Sequence, residues 1–246
     1  MKERMTYSFS KVNTFLTCPY SFHAGYNLKV EQFQNGWGVG GTWSHEVLQM
    51  INEKKITPAE SLAVWDGGVP NLHFPFMTSS YVSKYIEGTR SFFNWFSGVT
   101  DEILGVERHF LIDIDGISFQ GLIDLETRSN EGVMKVIDWK FAAESGFRGA
   151  KLKEKQRQLY LYSIAFKEKF GEYPSELFFY LCLSKKAIKI KFNKKDLQEA
   201  IDWLKAGVAQ IEDATEYPKQ PQYFMCKNLC GITICEHNGL YNNAPT

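Results

Sequence analysis

Asp124, together with Asp138 and Lys140 of the tripeptide Asp138-Trp139-Lys140, is the set of side chains in this sequence best suited to chemistry. Carboxylates held close together are hard oxygen ligands for Mg²⁺ or Mn²⁺. Such an ion neutralises charge on a phosphate and acidifies a bound water. A lysine two residues from a ligand can orient that water or stabilise the pentavalent transition state of phosphodiester cleavage. An Asp-x-Lys tripeptide alone equally describes a solvated ion pair; a second aspartate in an adjoining strand gives it weight. The turns supply that strand. Asp115-Gly116 separates the apolar-rich runs Ile103–Ile114 and Ile117–Thr127 as a tight hairpin does, and Asn130-Glu131-Gly132 returns the chain into Val133–Phe141. Side chains alternate along a strand, so Asp138 and Lys140 share a face opposite Ile137 and Trp139, and the meander can bring Asp124 to them.

Two helical segments offer further polar groups. His45, in Gly41-Thr42-Trp43-Ser44-His45, lies in a helix expected from about Trp43 to Glu53 after a glycine-rich loop. It would project from the first turns, where a metal-bound phosphate can approach. A lone histidine is more often a core or surface residue than a ligand. Gln158 and Tyr162 are four apart in a helix expected over about Lys151–Phe170 and share one face, placed to contact a backbone phosphate or a base.

Cys226, Cys230 and Cys235 crowd the C-terminal stretch, while Cys18 sits apart in Cys18-Pro19-Tyr20-Ser21-Phe22. No signal peptide is evident, so a cytoplasmic chain is expected, in which clustered thiols point to metal rather than disulfides. Three thiolates need a fourth ligand. Cys18 supplies it if the fold brings the termini together, and four thiolates suit an iron–sulfur cluster or Zn²⁺. His237 competes for that place, because zinc held by Cys226, Cys230, Cys235 and His237 leaves Cys18 free. Cys182, within Leu177–Leu183, reads as a buried strand residue.

In this order the motifs resemble the RecB-type branch of the PD-(D/E)XK nucleases, in the iron–sulfur subgroup that includes the AddB C-terminal nuclease and the CRISPR-adaptation exonuclease. Cys18-Pro19 with Phe22 matches the N-terminal entry, Gly41 with His45 the histidine motif, and Gly121-Leu122-Ile123-Asp124 the G-x-(I/V)-D strand. Ile137-Asp138-Trp139-Lys140 matches the D-x-K strand, and Gln158 with Tyr162 the Q-x-x-x-Y helix. The resemblance implies an α/β fold with a restriction-endonuclease-like core, a central mixed β-sheet flanked by helices. It implies a single nuclease domain over residues 1–246, whose terminal segments (about 10–25 and 220–240) join at a four-cysteine site.

The resemblance also implies roles. His45, Asp124, Asp138 and the Trp139 carbonyl would hold Mg²⁺ or Mn²⁺, Lys140 would be the catalytic lysine, and Gln158 and Tyr162 accessory residues near substrate. Glu107 resembles the acidic residue often found in the first strand of the sheet, with a metal-shell or a structural role. Cys18, Cys226, Cys230 and Cys235 would hold a [4Fe-4S] cluster. The spacing here is Cys-x₃-Cys-x₄-Cys rather than the family's usual Cys-x₂-Cys-x₅-Cys, with the outer pair equally far apart, and Tyr20 and Ser21 replace the basic residues that often follow Cys-Pro. The implied activity is hydrolysis of DNA by an exonuclease at single-stranded ends, in repair, recombination, replication or CRISPR adaptation. The implied partner is a helicase, recombination or CRISPR-adaptation complex. A nucleic-acid-binding subunit with little activity of its own is the competing reading; it does not require Asp124, Asp138 and Lys140. An RNA-directed nuclease is a third, and no feature here bears on the 2′-hydroxyl.

The remaining segments must position these groups. A short helix over Ser10–Thr17, with Ser10 as N-cap, leads to Cys18. Ile56–Ser79 reads as irregular or loosely helical, and Tyr81–Ser97 as a helix rich in aromatic bulk. Strands near Leu177–Leu183 and Ala187–Phe192 follow, then a helix over Asp196–Asp213 in which Leu197, Ile201, Leu204, Val208 and Ile211 recur at helical spacing. At 246 residues the chain can bury a sizeable core, and no apolar run approaches the ~20 residues of a membrane span. Net charge is zero, unlike the strongly basic balance of many nucleic-acid binders. Lys151, Lys153, Lys155 and Arg157 nevertheless cluster by the Gln158 helix, where they are expected to line a strand-binding channel. A second run, Lys185 to Lys195, alternates with Ile188, Ile190 and Phe192 and equally describes a protected sheet edge.

Overall fold

The computed structural model describes residues 5–239; the last residue of the expected 220–240 segment lies outside them. Five strands form one sheet in the order β1 to β5: Glu102–Ile114, Ile117–Arg128, Met134–Lys140, Glu176–Leu181 and Lys186–Lys191. β1, β2 and β3 make an antiparallel meander, β4 runs parallel to β3, and β5 is antiparallel to β4. The β1–β2 turn is the expected hairpin. Asp115 and Gly116 both take positive φ, 49° and 87°, as a two-residue turn matched to strand twist requires. A parallel step needs a crossover, and the long helix α6 supplies it.

Among the described residues, eight α-helices accompany the sheet: α1 (Phe9–Thr17), α2 (Pro19–Phe22), α3 (Gly36–Asn52), α4 (Ser61–Gly68), α5 (Ser79–Trp95), α6 (Gly149–Phe170), α7 (Lys194–Asp213) and α8 (Tyr223–Asn228). Of these, α1 to α7 divide between two apolar layers, while α8 buries no side chain. Val12, Phe15, Leu159, Phe166, Leu204 and Val208 of α1, α6 and α7 pack with Phe119, Val136 and Phe179 of the sheet. Val47, Leu48, Trp65, Tyr85 and Phe92 of α3, α4 and α5 pack with Leu125 and Trp139. Among the described residues no helix is long and apolar enough to cross a membrane.

One segment differs from the expectation and a second, expected as irregular or loosely helical, contains a regular helix, each for a packing reason. The glycine-rich stretch before His45 is not a loop: α3 starts at Gly36, capped by Asn35, whose side chain accepts the Gly38 N–H at 3.0 Å. Its glycines serve close approach. A Cβ on Gly40 would overlap the Tyr85 ring of α5, and one on Gly36 would overlap Phe74 and Met77. His45 therefore lies well inside α3, not in its first turns. The region 56–79 carries α4, whose Gly68 abuts the Trp43 ring while Trp43 Nε1 donates to the Trp65 carbonyl at 2.9 Å. At α1 the N-cap is Ser8 rather than Ser10; its hydroxyl accepts the Lys11 N–H at 3.2 Å.

Candidate active site

The site forms where the meander stops being regular. The β1–β2 ladder runs Val106↔Leu125 and then Arg108↔Ile123, passing over Glu107 and Asp124. Glu107 has φ 43°, a left-handed conformation that costs a non-glycine residue about 1–2 kcal/mol. On the other side, β2–β3 pairing ends at Leu125↔Ile137. There the Asp124 carboxylate takes over from the backbone: its Oδ2 accepts the Trp139 N–H at 2.8 Å. The same Oδ2 lies 3.6 Å from His45 Nδ1, which is also 3.6 Å from Glu107 Oε1. Donor atoms of His45, Glu107 and Asp124 all lie within 4.8 Å of one another, the one such group among the described residues.

Asp138 and Lys140 occupy the adjoining position. Lys140 Nζ donates to Asp138 Oδ1 at 2.9 Å and lies 2.7 Å from Oδ2. Both oxygens of the buried carboxylate thus face the ammonium, and the contact to Oδ2 is an ion pair rather than a hydrogen bond. Trp139, between them, anchors the strand in the α3–α5 layer, its ring 4.9 Å from that of Tyr180. Across from Lys140, Gln158 Nε2 donates to the Tyr162 hydroxyl at 2.8 Å, and the Tyr162 ring packs edge-on against Phe110. Gln158, Tyr162 and Lys140 line one common groove.

Electrostatics follow from burial among like charges. Asp124 and Asp138 are 8 % and 3 % exposed. Burial, then the charge of Asp138, pushes the Asp124 carboxyl above the usual carboxylate range. Burial pulls Lys140 down, but Asp138 and Asp124 outweigh it and raise it. Burial likewise lowers His45, while the Glu107 hydrogen bond and the charge of Asp124 turn the net direction upward. Burial pushes the Tyr162 hydroxyl up to about 12, so it stays a donor. Three acidic side chains facing a lysine and a histidine leave an anionic pocket suited to a divalent cation.

The cationic cluster on α6 splits between faces. Lys153 pairs with Glu199 of α7 at 2.9 Å, and Arg157 lies over the Trp203 ring at 5.5 Å, both turned away from Lys140. Lys155 turns the other way. It is lowered by burial and then by the charge of Lys140, and its Nζ lies 5.2 Å from the Phe147 ring centroid. Lys151 is exposed one turn earlier. In the second cluster, Lys186 pairs with Glu144 and Lys189 with Glu176 along edge strand β5. Of the residues near Lys140, Lys155 is the one whose place the sequence left blurred; its spacing to Gln158 was the available signal.

Cys18, Cys226, Cys230 and Cys235 line one cavity of about 220 Å³, together with His237. No three of these donor atoms come within 4.8 Å of one another. Burial, then the charges of Cys226 and Cys18, raises the Cys230 thiol. The N- and C-terminal parts of the described chain meet beside it, with Gln32 bridging Ile232 and Asn35 Nδ2 donating to the Leu229 carbonyl at 3.0 Å. Cys182 is fully buried as expected, but it lies just beyond β4 and opens a 3-10 turn over Cys182–Ser184 rather than sitting in a strand.

Comparison with known proteins agrees with this frame. No curated protein matches the chain by sequence. A solved structure from Eubacterium rectale, provisionally named an exonuclease, superposes with a TM-score of 0.52 at 15% identity, over 89% of this chain and 91% of that one. At that identity the likeness is one of fold. A second structure, SSO0001, gives a TM-score of 0.42 at 14% identity over 96% of this chain and 88% of that one. The model of the PD-(D/E)XK nuclease superfamily matches residues 6–238. With nearly the whole chain matched, and an acidic group and a lysine at the strand ends, the protein belongs to the PD-(D/E)XK nuclease superfamily.

Proposed function

We propose that this protein is a metal-dependent nuclease of the RecB-like branch, one catalytic domain that hydrolyses DNA phosphodiesters from strand ends. The observation that carries the reading is the convergence of His45, Glu107 and Asp124 beside the buried Asp138 carboxylate, which pairs with Lys140. Those donors fit a Mg²⁺ or Mn²⁺ ion, hard oxygens with one imidazole. His45, Asp124, Asp138 and the Trp139 carbonyl would hold it, and Glu107 would complete the donor set. When bound, the ion neutralises the scissile phosphate and acidifies the attacking water.

The remaining work falls to side chains already in place. Lys140, kept charged by Asp138, faces the phosphate and stabilises negative charge as it builds in the transition state. Gln158 fixes the Tyr162 hydroxyl, and the pair orients the phosphate on the α6 side. Attack at the terminal linkage, rather than within a strand, rests on the name of the Eubacterium rectale relative.

Cys18, Cys226, Cys230 and Cys235 are proposed to hold a [4Fe-4S] cluster. All four line the 220 Å³ cavity. A single zinc, with Zn–S bonds of ~2.3 Å, would draw four thiolates to about 3.8 Å from one another. The wider spread of these sulfurs favours a larger group.

The test is cleavage of end-labelled DNA with Mn²⁺ or Mg²⁺, comparing wild type with Lys140→Ala and Asp138→Ala. Wild type is expected to cut, and each variant to lose about 100-fold or more in rate with the fold intact. Equal rates would sink the site assignment. A metal- and cluster-replete wild type that binds DNA without cutting it would mark the protein as a binding subunit.

A further inference from the structure

The two edges of the sheet are finished differently. β5 carries Lys186, Lys189 and Lys191, all exposed, the kind of side chain that keeps an edge strand from pairing with another chain. β1, at the opposite edge, has no lysine and no proline. Its stretch from His109 to Asp113 buries Phe110 and Ile112 and exposes His109, Leu111 and Asp113. Leu111 is 65% exposed, the one large apolar side chain of the five strands left open to solvent.

The backbone of that stretch is open as well. Tyr7 bonds β2 on the side away from β1: its N–H donates to the Ser118 carbonyl and its carbonyl accepts the Gln120 N–H, each at 2.8 Å. Antiparallel pairs alternate between those that exchange hydrogen bonds and those whose polar groups point outward. Ser118 and Gln120 point outward, so their partners Asp113 and Leu111 do too, and His109, opposite Leu122, continues the alternation. The N–H and C=O groups of His109, Leu111 and Asp113 therefore line the outer edge of β1. Among the described residues no other strand pairs there and no loop bonds them. Such a row of backbone groups is a template for a further strand.

The side chains fit a second copy of the same segment. An antiparallel pair on a two-fold axis at Leu111 sets Leu111 against its own copy, His109 against Asp113 and Asp113 against His109. All three pairs fall at outward-pointing positions, so each exchanges backbone hydrogen bonds, and opposite charges face each other at both ends. Asp113 Oδ1 accepts the Gly116 N–H at 2.7 Å, which holds the carboxylate on the hairpin and leaves Oδ2 for the imidazole of the second copy. A two-fold at Asp113 would instead oppose two carboxylates. One at His109 would set Leu111 against Glu107, where the strand is irregular.

We propose that a second copy of this chain docks along β1, joining the two sheets by antiparallel pairing centred on Leu111. His109 and Leu111 also line the groove that reaches Lys140, so the second copy stands beside that groove. The pairing is independent of the reaction carried out there.

Sedimentation equilibrium of the full chain over a concentration series reads the association. Wild type is expected to show a monomer–dimer equilibrium. Leu111→Lys sets two ammonium groups against each other at the axis and is expected to weaken it about tenfold. His109→Glu and Asp113→Lys, each alone, oppose like charges and are expected to weaken it similarly. Mixed in equal amounts, these two variants set Glu against Lys and Asp against His, and association is expected to return to near the wild-type level. The mixture also shows that both variants are folded. A wild type that stays monomeric throughout the series overturns the proposal, as does a dimer that Leu111→Lys leaves intact. A mixture no more associated than its components overturns it too.

Discussion

Asp124 accepts the Trp139 N–H with the same oxygen that faces His45, so one carboxylate ties β2 to β3 and forms an edge of the metal group. Burial and Asp138 raise its pKa in the folded chain. A carboxyl raised on folding binds more protons in the native state than in the unfolded one, so stability falls as pH rises above the ordinary carboxylate pKa of about 4 toward neutrality. Metal-free protein should therefore melt at lower temperature as pH rises through that window. Asp124→Asn should flatten the slope, and Mn²⁺ should raise the wild-type melting temperature more near pH 7 than near pH 5. Equal slopes in wild type and Asp124→Asn would sink this account. Glu107 gives a second residue-scale test. Glycine accepts its φ of 43°, recovering about 1–2 kcal/mol of strain against about 0.5–1 kcal/mol of added chain entropy. Glu107→Gly should keep the stability of the metal-free protein while weakening Mn²⁺ binding by calorimetry. Unaltered Mn²⁺ affinity would remove Glu107 from the donor set.

At the scale of elements, α3 shows what its glycines are for. Gly40 and Gly41 are neighbours in one helix, yet a Cβ on the first meets Tyr85 and one on the second meets nothing within 4 Å. Gly40→Ala should destabilise by about 1–3 kcal/mol through overpacking against α5. Gly41→Ala should stabilise by about 0.5–1 kcal/mol through helix propensity. Denaturant melts of the two variants decide it, and shifts of the same sign would refute the packing argument. Because His45 rides on α3, Gly40→Ala should also displace it from Asp124 and weaken metal binding. The hairpin and the Gln158 helix were legible in the sequence because turn residues and helical spacing are local. The helical glycines were not, since only the approach of α5 distinguishes them from a flexible loop. The split of Lys151–Arg157 was likewise hidden: α7 selects which side of α6 is covered.

At the scale of the whole molecule, α1 joins the two ends of the argument, because Asn13 and Thr14 line both the cysteine cavity and the groove beside Lys140. Anaerobically prepared wild type should carry a brown chromophore, and Cys230→Ser should lose it together with thermal stability and DNA affinity. A colourless, zinc-loaded wild type would reject the cluster, and unchanged binding in Cys230→Ser would separate α1 from the cysteines. Read alone, the sequence determined the superfamily, the candidate catalytic side-chain types and the hairpin that carries Asp124, because ligand chemistry, turn conformation and strand alternation depend on residue type and short spacing. Tertiary structure decided that Glu107 turns out of its ladder toward His45, that Asp138 is buried against Lys140, and that β2 and β3 part beyond Ile137. Each of these depends on which surfaces meet once the sheet and its helices pack, and no local pattern encodes that.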